Sequence, residues 1–256
     1  MLRSFLLLLC LPFTLAAETV IDPARDRAIP VEIHQPSNTG NCSTTARCPV
    51  ALLSAGYGVS HTEYQFLVKT LNQAGYLVIT VGHELATDPP LSVEGNLYET
   101  RAENWQRGAD TLVFIHDYFK PKFTTFDFEH ALLIGHSNGG DISAWLINHG
   151  AIFVNQIITL DHRRVPLPRS LDVKVLSIRA SDFPADKGVL PSRAEKQKYQ
   201  DCVVTIANAK HNDMTDEGPS WLTDKIAQIL ADHLAGKPCL GNEKVKTNSR
   251  KTQREK

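Results

Sequence analysis

The chain has 256 residues, of which 42% are hydrophobic and 21% charged, and a formal net charge of -1. These values exclude a disordered or collagen-like chain and fit one α/β domain with a large core. A balance so close to neutral also excludes a general attraction to nucleic acid or to an anionic membrane, so function has to reside in a local site.

Met1-Leu2-Arg3 supplies a positive charge, Ser4 to Leu15 is apolar apart from Ser4 and Thr14, and Ala16-Ala17 offers small residues for cleavage. Residues 1–17 therefore read as an export signal, with a secreted or periplasmic mature protein. The apolar core is short for a bilayer span, and no later segment has about 18 uninterrupted apolar residues, so no stable membrane anchor is expected. The mature chain keeps Cys42, Cys48, Cys202 and Cys239. In an oxidising compartment these predict two disulfides, and Cys42 with Cys48 and Cys202 with Cys239 are the favoured pairs. A zinc site is the rival reading, but the spacings lack a CxxC knuckle or clustered histidines. Asn41-Cys42-Ser43 matches a glycosylation sequon.

Two short extended segments, Thr19 to Ile21 and Val31 to His34, are separated by the charged turn Asp22-Pro23-Ala24-Arg25-Asp26-Arg27 and are expected at a sheet edge. Pro49 to Ser54 is an apolar run of strand length, followed by the loop Ala55-Gly56-Tyr57-Gly58-Val59-Ser60. A helix from Glu63 to Gln73 and a buried strand from Tyr76 to Val81 complete a strand, helix, strand unit, which predicts parallel strands. His83 to Tyr98 is irregular, broken by Asp88-Pro89-Pro90 and Glu94-Gly95-Asn96, and loops of this length often border a site. Helical periodicity resumes from Glu99 to Tyr118, with Trp105, Leu112, Val113 and Phe119 on one face.

Ala131 to Ile134 is the next buried strand, and a helical pattern starts near Gly139. Between them, Gly135, Ser137 and Gly139 fit GxSxG. A serine on a sharp strand-to-helix turn sits in a strained backbone conformation, and side chains at the flanking glycines would collide across the turn. The backbone N–H of Asn138, at the helix entrance, then faces the point where a carbonyl oxygen becomes negative. Beyond it come strands at Gln156 to Leu160 and Val173 to Ile178, a charged helix from Ser192 to Tyr199 and a strand from Cys202 to Ala207. Ser220 to Leu234 forms a last helix with Trp221, Ile226, Ile229, Leu230 and Leu234 toward the sheet. Only about a dozen residues separate the strands ending at Leu160 and starting at Val173, too few for a cap domain. Residues 241–256 carry a basic, aperiodic tail expected to be disordered, leaving 18–240 as the folded domain.

A serine hydroxyl is a weak nucleophile until a base takes its proton and a carboxylate orients that base. After a serine elbow the expected order is acid, then histidine. His149 and His233 lie on or at the end of helices, and His162 precedes most candidate acids. His211, in the loop directly after the last strand, is the expected base. Asp182, in the loop after Val173 to Ile178, is the first choice for the acid. Asp161, at the end of the preceding strand, is the alternative, and whichever is not under the imidazole is expected to pair with Arg163, Arg164 or Arg179. The second oxyanion donor is expected from the loop after Pro49 to Ser54, at the backbone N–H of Tyr57.

From PVALLSAGYG through GHSNGG to AKHNDM the chain resembles the α/β-hydrolase family. The resemblance is nearest to its lidless members: dienelactone hydrolases, cutinase-like polyester hydrolases and platelet-activating-factor acetylhydrolases. It implies a mostly parallel central sheet with helices on both faces and no cap domain. The acetylhydrolases resemble this chain at Leu160-Asp161 and the polyester hydrolases at Ser181-Asp182, so both acids stay open. Ala55-Gly56 stands where many members have His-Gly. The function expected is hydrolysis of a small-molecule or polymeric carboxylic ester by a monomer through an acyl-enzyme, with neither cofactor nor metal. Leu85, Leu91 and Tyr98 are candidates for an apolar acyl wall. A phospholipid acetylhydrolase is the alternative within the enzyme class, and a non-catalytic binding protein of the same fold is the alternative outside it.

Overall fold

The computed structural model describes residues 18–239. The expected export signal at 1–17 and the basic tail at 241–256 lie outside the described residues. The strands are β1 (Glu18–Asp22), β2 (Arg27–His34), β3 (Cys48–Ser54), β4 (Leu77–Val81), β5 (Phe126–His136), β6 (Val154–Leu160), β7 (Lys174–Arg179) and β8 (Cys202–Thr205). The helices are α1 (Gln65–Gln73), α2 (Leu97–Thr100), α3 (Ala102–Phe119), α4 (Asn138–Asn148), α5 (Arg193–Tyr199) and α6 (Ser220–Leu234). All eight strands form one sheet in the order β1-β2-β4-β3-β5-β6-β7-β8. The pairs β1–β2 and β2–β4 are antiparallel, and every other pair is parallel.

The continuous apolar runs follow from burial on both faces. Val50 and Leu52 of β3 pack with Trp105, Leu112 and Ile115 of α3 and Ile142 of α4. Their neighbours Ala51 and Leu53 point the other way, toward Leu67 and Leu71 of α1 and Ile226 and Leu230 of α6. The sheet therefore has a core on each side, and the ends of its central parallel strands are left to carry loops. Residues 161–173, between β6 and β7, contain neither helix nor strand, so no cap is inserted there.

Three local expectations change. β2 begins at Arg27 and lies between β1 and β4, so of the two segments expected at an edge β1 alone is there. Arg27 looked like part of a charged turn, but it is buried and its guanidinium is bonded to Asp88 at 2.6 Å through two oxygens. The helix expected from Glu99 is broken at Arg101 into α2 and α3, and Val113 is 38% exposed, because the buried stripe runs through Trp105, Leu112, Ile115 and Phe119. In α6, Trp221 is 47% exposed and Leu222 takes the inward position with Ile226, Ile229 and Leu230. In both helices the misplaced residue is one step, about 100°, from the buried stripe.

Cys42–Cys48 and Cys202–Cys239 are disulfides, with sequence separations of 6 and 37. The second ties the segment just beyond α6 to the start of β8. Among the described residues no helix is long and apolar enough to cross a membrane. On chain entropy alone the longer loop contributes about 4 kcal/mol and the shorter about 2 kcal/mol. Urea unfolding of the Cys202→Ser/Cys239→Ser protein is therefore expected to show the larger loss of stability, and an equal or larger loss in Cys42→Ser/Cys48→Ser would contradict the entropic account.

Candidate active site

The turn from β5 into α4 carries Ser137 with φ 51 and ψ -120, a conformation that costs a non-glycine residue about 1–3 kcal/mol. The surroundings leave no alternative path. A Cβ on Gly135 would meet the Gly139 carbonyl carbon at 2.3 Å, and one on Gly139 would meet the Ser54 carbonyl oxygen at 2.2 Å. Glycine at both places lets α4 start directly against β3 and β5. The Ser137 N–H donates to the Leu160 carbonyl at 2.8 Å, and the Ser137 carbonyl accepts from Gly140 and Asp141, so the turn is held on both sides. Asn138 is the first residue of α4. N–H groups in a first helical turn have no acceptor within the helix and are open to a developing anion.

His211 opens a short 3-10 turn after β8. Its Nε2 lies 2.9 Å from Ser137 Oγ and its Nδ1 2.6 Å from Asp161 Oδ2. With Nδ1–H donating to the carboxylate, Nε2 is left to accept the serine proton. Asp161 follows β6 with φ 48 and is fully buried. Its Oδ1 also accepts from the Ala180 N–H at 3.1 Å and pairs with Arg179 Nη2 at 2.7 Å, while Oδ2 accepts from Arg163 Nη2 at 3.0 Å. Burial alone would raise its pKa. The bond to His211 and the charges of Arg179 and Arg163 outweigh that and hold it below the usual carboxylate value.

Asp182, the first choice from sequence, is exposed and accepts the backbone N–H of His211 at 3.0 Å, so it meets the base loop and not the imidazole. The sheet order accounts for the difference. β6 is the direct neighbour of β5, and its end lies beside the serine turn, whereas Asp182 is three residues beyond β7 on the surface. The arginines differ as well: Arg163 and Arg179 serve the carboxylate under the imidazole, and Arg164 pairs with Asp186. Of the other histidines, His162 is fully buried beside Asp161, His149 Nδ1 bonds the Trp145 carbonyl at 2.8 Å, and His233 is half-buried in the last turn of α6.

Tyr57 lies in the loop after β3, and its Oη accepts the Leu91 N–H at 3.0 Å, joining that loop to the irregular segment between β4 and α2. Leu85 and Leu91 are half-buried there, and Tyr98 is exposed. The segment is anchored by Asp88, which Arg27 grips from β2, and by His83 Nε2, 2.9 Å from Ser54 Oγ. On the far side of the elbow, the Asn138 Oδ1 accepts from Trp105 Nε1 at 2.9 Å and its Nδ2 donates to Asn104 Oδ1 at 2.8 Å and Glu84 Oε1 at 3.4 Å. Sequence reasoning took Trp105 as core only and passed over Asn104 and Glu84, which carry no motif. Among the described residues no three His, Cys, Asp or Glu side chains are grouped as metal ligands are.

The sheet order, the strand-to-helix serine turn and the missing cap make this an α/β-hydrolase fold. Among solved structures, the chain is similar to the thermophilic esterase Est2 of Thermogutta terrifontis with butyrate bound, at 11% identity over 88% of this chain and 95% of that one, with a TM-score of 0.62. It is also similar to a candidate dienelactone hydrolase from Klebsiella pneumoniae, at 16% identity, 86% and 98% coverage and a TM-score of 0.58. A ferulic acid esterase from Streptomyces cinnamoneus matches at 16% identity, 87% and 88% coverage and a TM-score of 0.57. At these identities the likeness is one of fold. No family model and no curated protein matches the sequence.

Three buried imidazoles surround the site. His83, His136 and His162 are each pushed down to about 3, chiefly by burial and next by Arg27, His211 and Arg179 respectively. Between about pH 3 and the ordinary value of 6.5 the unfolded chain binds a proton at each that the folded chain refuses. Their stabilising effect is complete above about pH 6.5 and is lost as pH falls. Asp141 acts the other way. Burial pushes it up to about 6 against bonds from the Val165 and Arg164 N–H groups, so between 3.8 and 6 the folded chain holds a proton that the unfolded one lacks. Asp201, pushed up to about 6 chiefly by burial, acts in the same sense as Asp141, so these five groups take up about one proton net on unfolding, or roughly 1 kcal/mol per pH unit. Urea unfolding is expected to show stability falling by about 2–3 kcal/mol from pH 6 to pH 4, and an unchanged unfolding free energy over that range would refute the neutral imidazoles.

Proposed function

We propose that this chain is an exported serine hydrolase that cleaves carboxylic esters. The observation that carries the reading is the continuous hydrogen-bonded line from buried Asp161 through His211 to Ser137, ending on a strained elbow at a helix start. Ser137 Oγ attacks the acyl carbon while His211 Nε2 takes its proton, and the imidazolium returns that proton to the leaving alcohol. Asp161 fixes the Nδ1–H tautomer and balances the imidazolium charge. The N–H groups of Tyr57 and Asn138 receive the oxyanion. Water, activated by the same imidazole, then releases the acid and restores Ser137.

The open approach supports short or extended esters rather than a lipid that needs a lid to open. The Thermogutta esterase is known with butyrate and with a sarin-derived phosphonyl group. A similar small acyl group fits the reading here, with Leu85, Leu91 and Tyr98 as its apolar wall. The two disulfides support maturation in an oxidising compartment.

A fluorophosphonate probe is expected to label the wild type and to fail with Ser137→Ala and His211→Ala. A folded wild type that takes no label would turn the reading toward a non-catalytic binding protein of this fold. Asp161→Asn is expected to lower kcat by about 10⁴-fold by favouring the wrong tautomer. Asp182→Asn keeps an amide oxygen that accepts the His211 N–H and loses only the charge on that bond, worth about 1 kcal/mol, and is expected to stay within roughly 10-fold. A larger loss in Asp182→Asn than in Asp161→Asn would reassign the acid.

A further inference from the structure

Two buried side chains take no part in the reaction proposed above, yet they join its two halves. Tyr64, just before α1, is fully buried, and His136, the last residue of β5 and the residue before the serine, is 3% exposed. The Gly56 N–H donates to Tyr64 Oη at 3.0 Å, Tyr64 Oη lies 2.9 Å from His136 Nδ1, and His136 Nε2 lies 3.1 Å from the His211 carbonyl oxygen.

The direction of this line is set from both ends. An amide N–H only donates and a carbonyl only accepts. The His211 carbonyl therefore requires the proton on His136 Nε2, which leaves Nδ1 bare in the neutral ring. Tyr64 O–H donates to that nitrogen and keeps a lone pair for Gly56. Every group is satisfied in one arrangement, and burial keeps the ring neutral by pushing His136 down to about 3. A neutral ring matters, since the His136 and His211 ring centres are 5.0 Å apart and a second cation would oppose the imidazolium.

Each end of the line holds a backbone segment the reaction uses. Gly56 is bonded through its N–H to Tyr64 and through its carbonyl to the Val59 N–H at 3.1 Å, so the peptide plane that carries the Tyr57 N–H has little freedom. A Cβ on residue 56 would lie 2.9 Å from His136 Nδ1, which shows how closely the loop rests on this ring. At the other end, the His211 carbonyl is held by His136, its N–H by Asp182 and its Nδ1 by Asp161.

We propose that Tyr64 and His136 are positioning residues, forming a buried one-way hydrogen-bond relay that fixes the distance between the oxyanion loop at Gly56–Tyr57 and the base at His211. The role rests on the hydrolase reading above. The relay aligns the donor that receives the oxyanion with the ring that moves the proton, and misalignment of about 1 Å is enough to cost up to 10²-fold in rate.

The test is a double-mutant cycle on Tyr64→Phe and His136→Asn. The asparagine still offers an acceptor toward Tyr64 and loses the reach to the His211 carbonyl. Rates on a short-chain aryl ester are normalised to the sites titrated by a fluorophosphonate, so that misfolded protein does not count. Each single variant is expected to lose about 10-fold or more in kcat with KM within about twofold, and the double variant to be no slower than the slower single one. Ring nitrogen NMR of the wild type is expected to show His136 protonated at Nε2 and bare at Nδ1 from pH 5 to 8. Unchanged kcat per titrated site, with only the melting temperature lowered, would reduce the pair to a structural contact and overturn the proposal, as would multiplicative losses or the opposite tautomer. A wild type that neither labels nor turns over brings down the hydrolase reading itself, and that failure is visible before any variant is made.

Discussion

The constraint on which the site depends is backbone crowding where α4 meets the sheet. Ser137 keeps an unfavourable φ of 51 because the chain on both sides of it is fixed more strongly than the strain opposes. Its N–H is spent on β6, its carbonyl on α4, and the glycines at 135 and 139 leave no Cβ to push the helix away from β5 and β3. Those contacts draw the start of the loop after β3, at Ser54 and Ala55, against the elbow. The geometry around the serine hydroxyl is thus a result of sheet packing, and the side chains nearby are added to a backbone already set.

Burying the Asp161 carboxylate creates the second demand. A lone buried charge is costly, and this one is shared among the His211 ring, two guanidinium groups and a backbone N–H. The arginines hold the group ionised, but they also neutralise part of the charge offered to the imidazole. The 2.6 Å bond to Nδ1 keeps the tautomer regardless of how that charge is divided. Orientation of the His211 ring is therefore the stronger effect of Asp161, and charge balance the weaker one.

The sheet, the serine turn and the position of His211 were legible because each is written locally: an apolar run of strand length, a glycine-bracketed serine, a loop directly after the last strand. The disulfide pairs were also legible, since two cysteines close one short loop and the other two lie at the last strand and just beyond the last helix. Which aspartate lies under the imidazole was not. Asp161 and Asp182 each follow a strand, and sequence order cannot show that β6 rather than β7 borders β5, or that the backbone at Asp161 turns at φ 48 under the ring. Arg27 was misread for a related reason, since its partner Asp88 is 61 residues away. Trp221 and Val113 show the limit of periodicity, where one residue of error turns a side chain from core to solvent.

Two buried polar networks approach Ser137 from opposite faces of the sheet. On the side of α3 and α4, Trp105, Asn104 and Glu84 hold the Asn138 side chain, and on the side of α1 and α6, Tyr64 and His136 join Gly56 to His211. Each lies inside an apolar core that would be more stable without polar atoms unless they are paired. Asn138 uses both its amide nitrogen and its oxygen, and the Tyr64 hydroxyl uses both its proton and a lone pair. Pairing of that kind makes each network rigid, and rigid donors need no rearrangement when charge appears beside them. The two cores of this fold thus do more than hold the sheet together: each extends one inflexible polar arm to the elbow, and the hydroxyl of Ser137 sits where the arms meet.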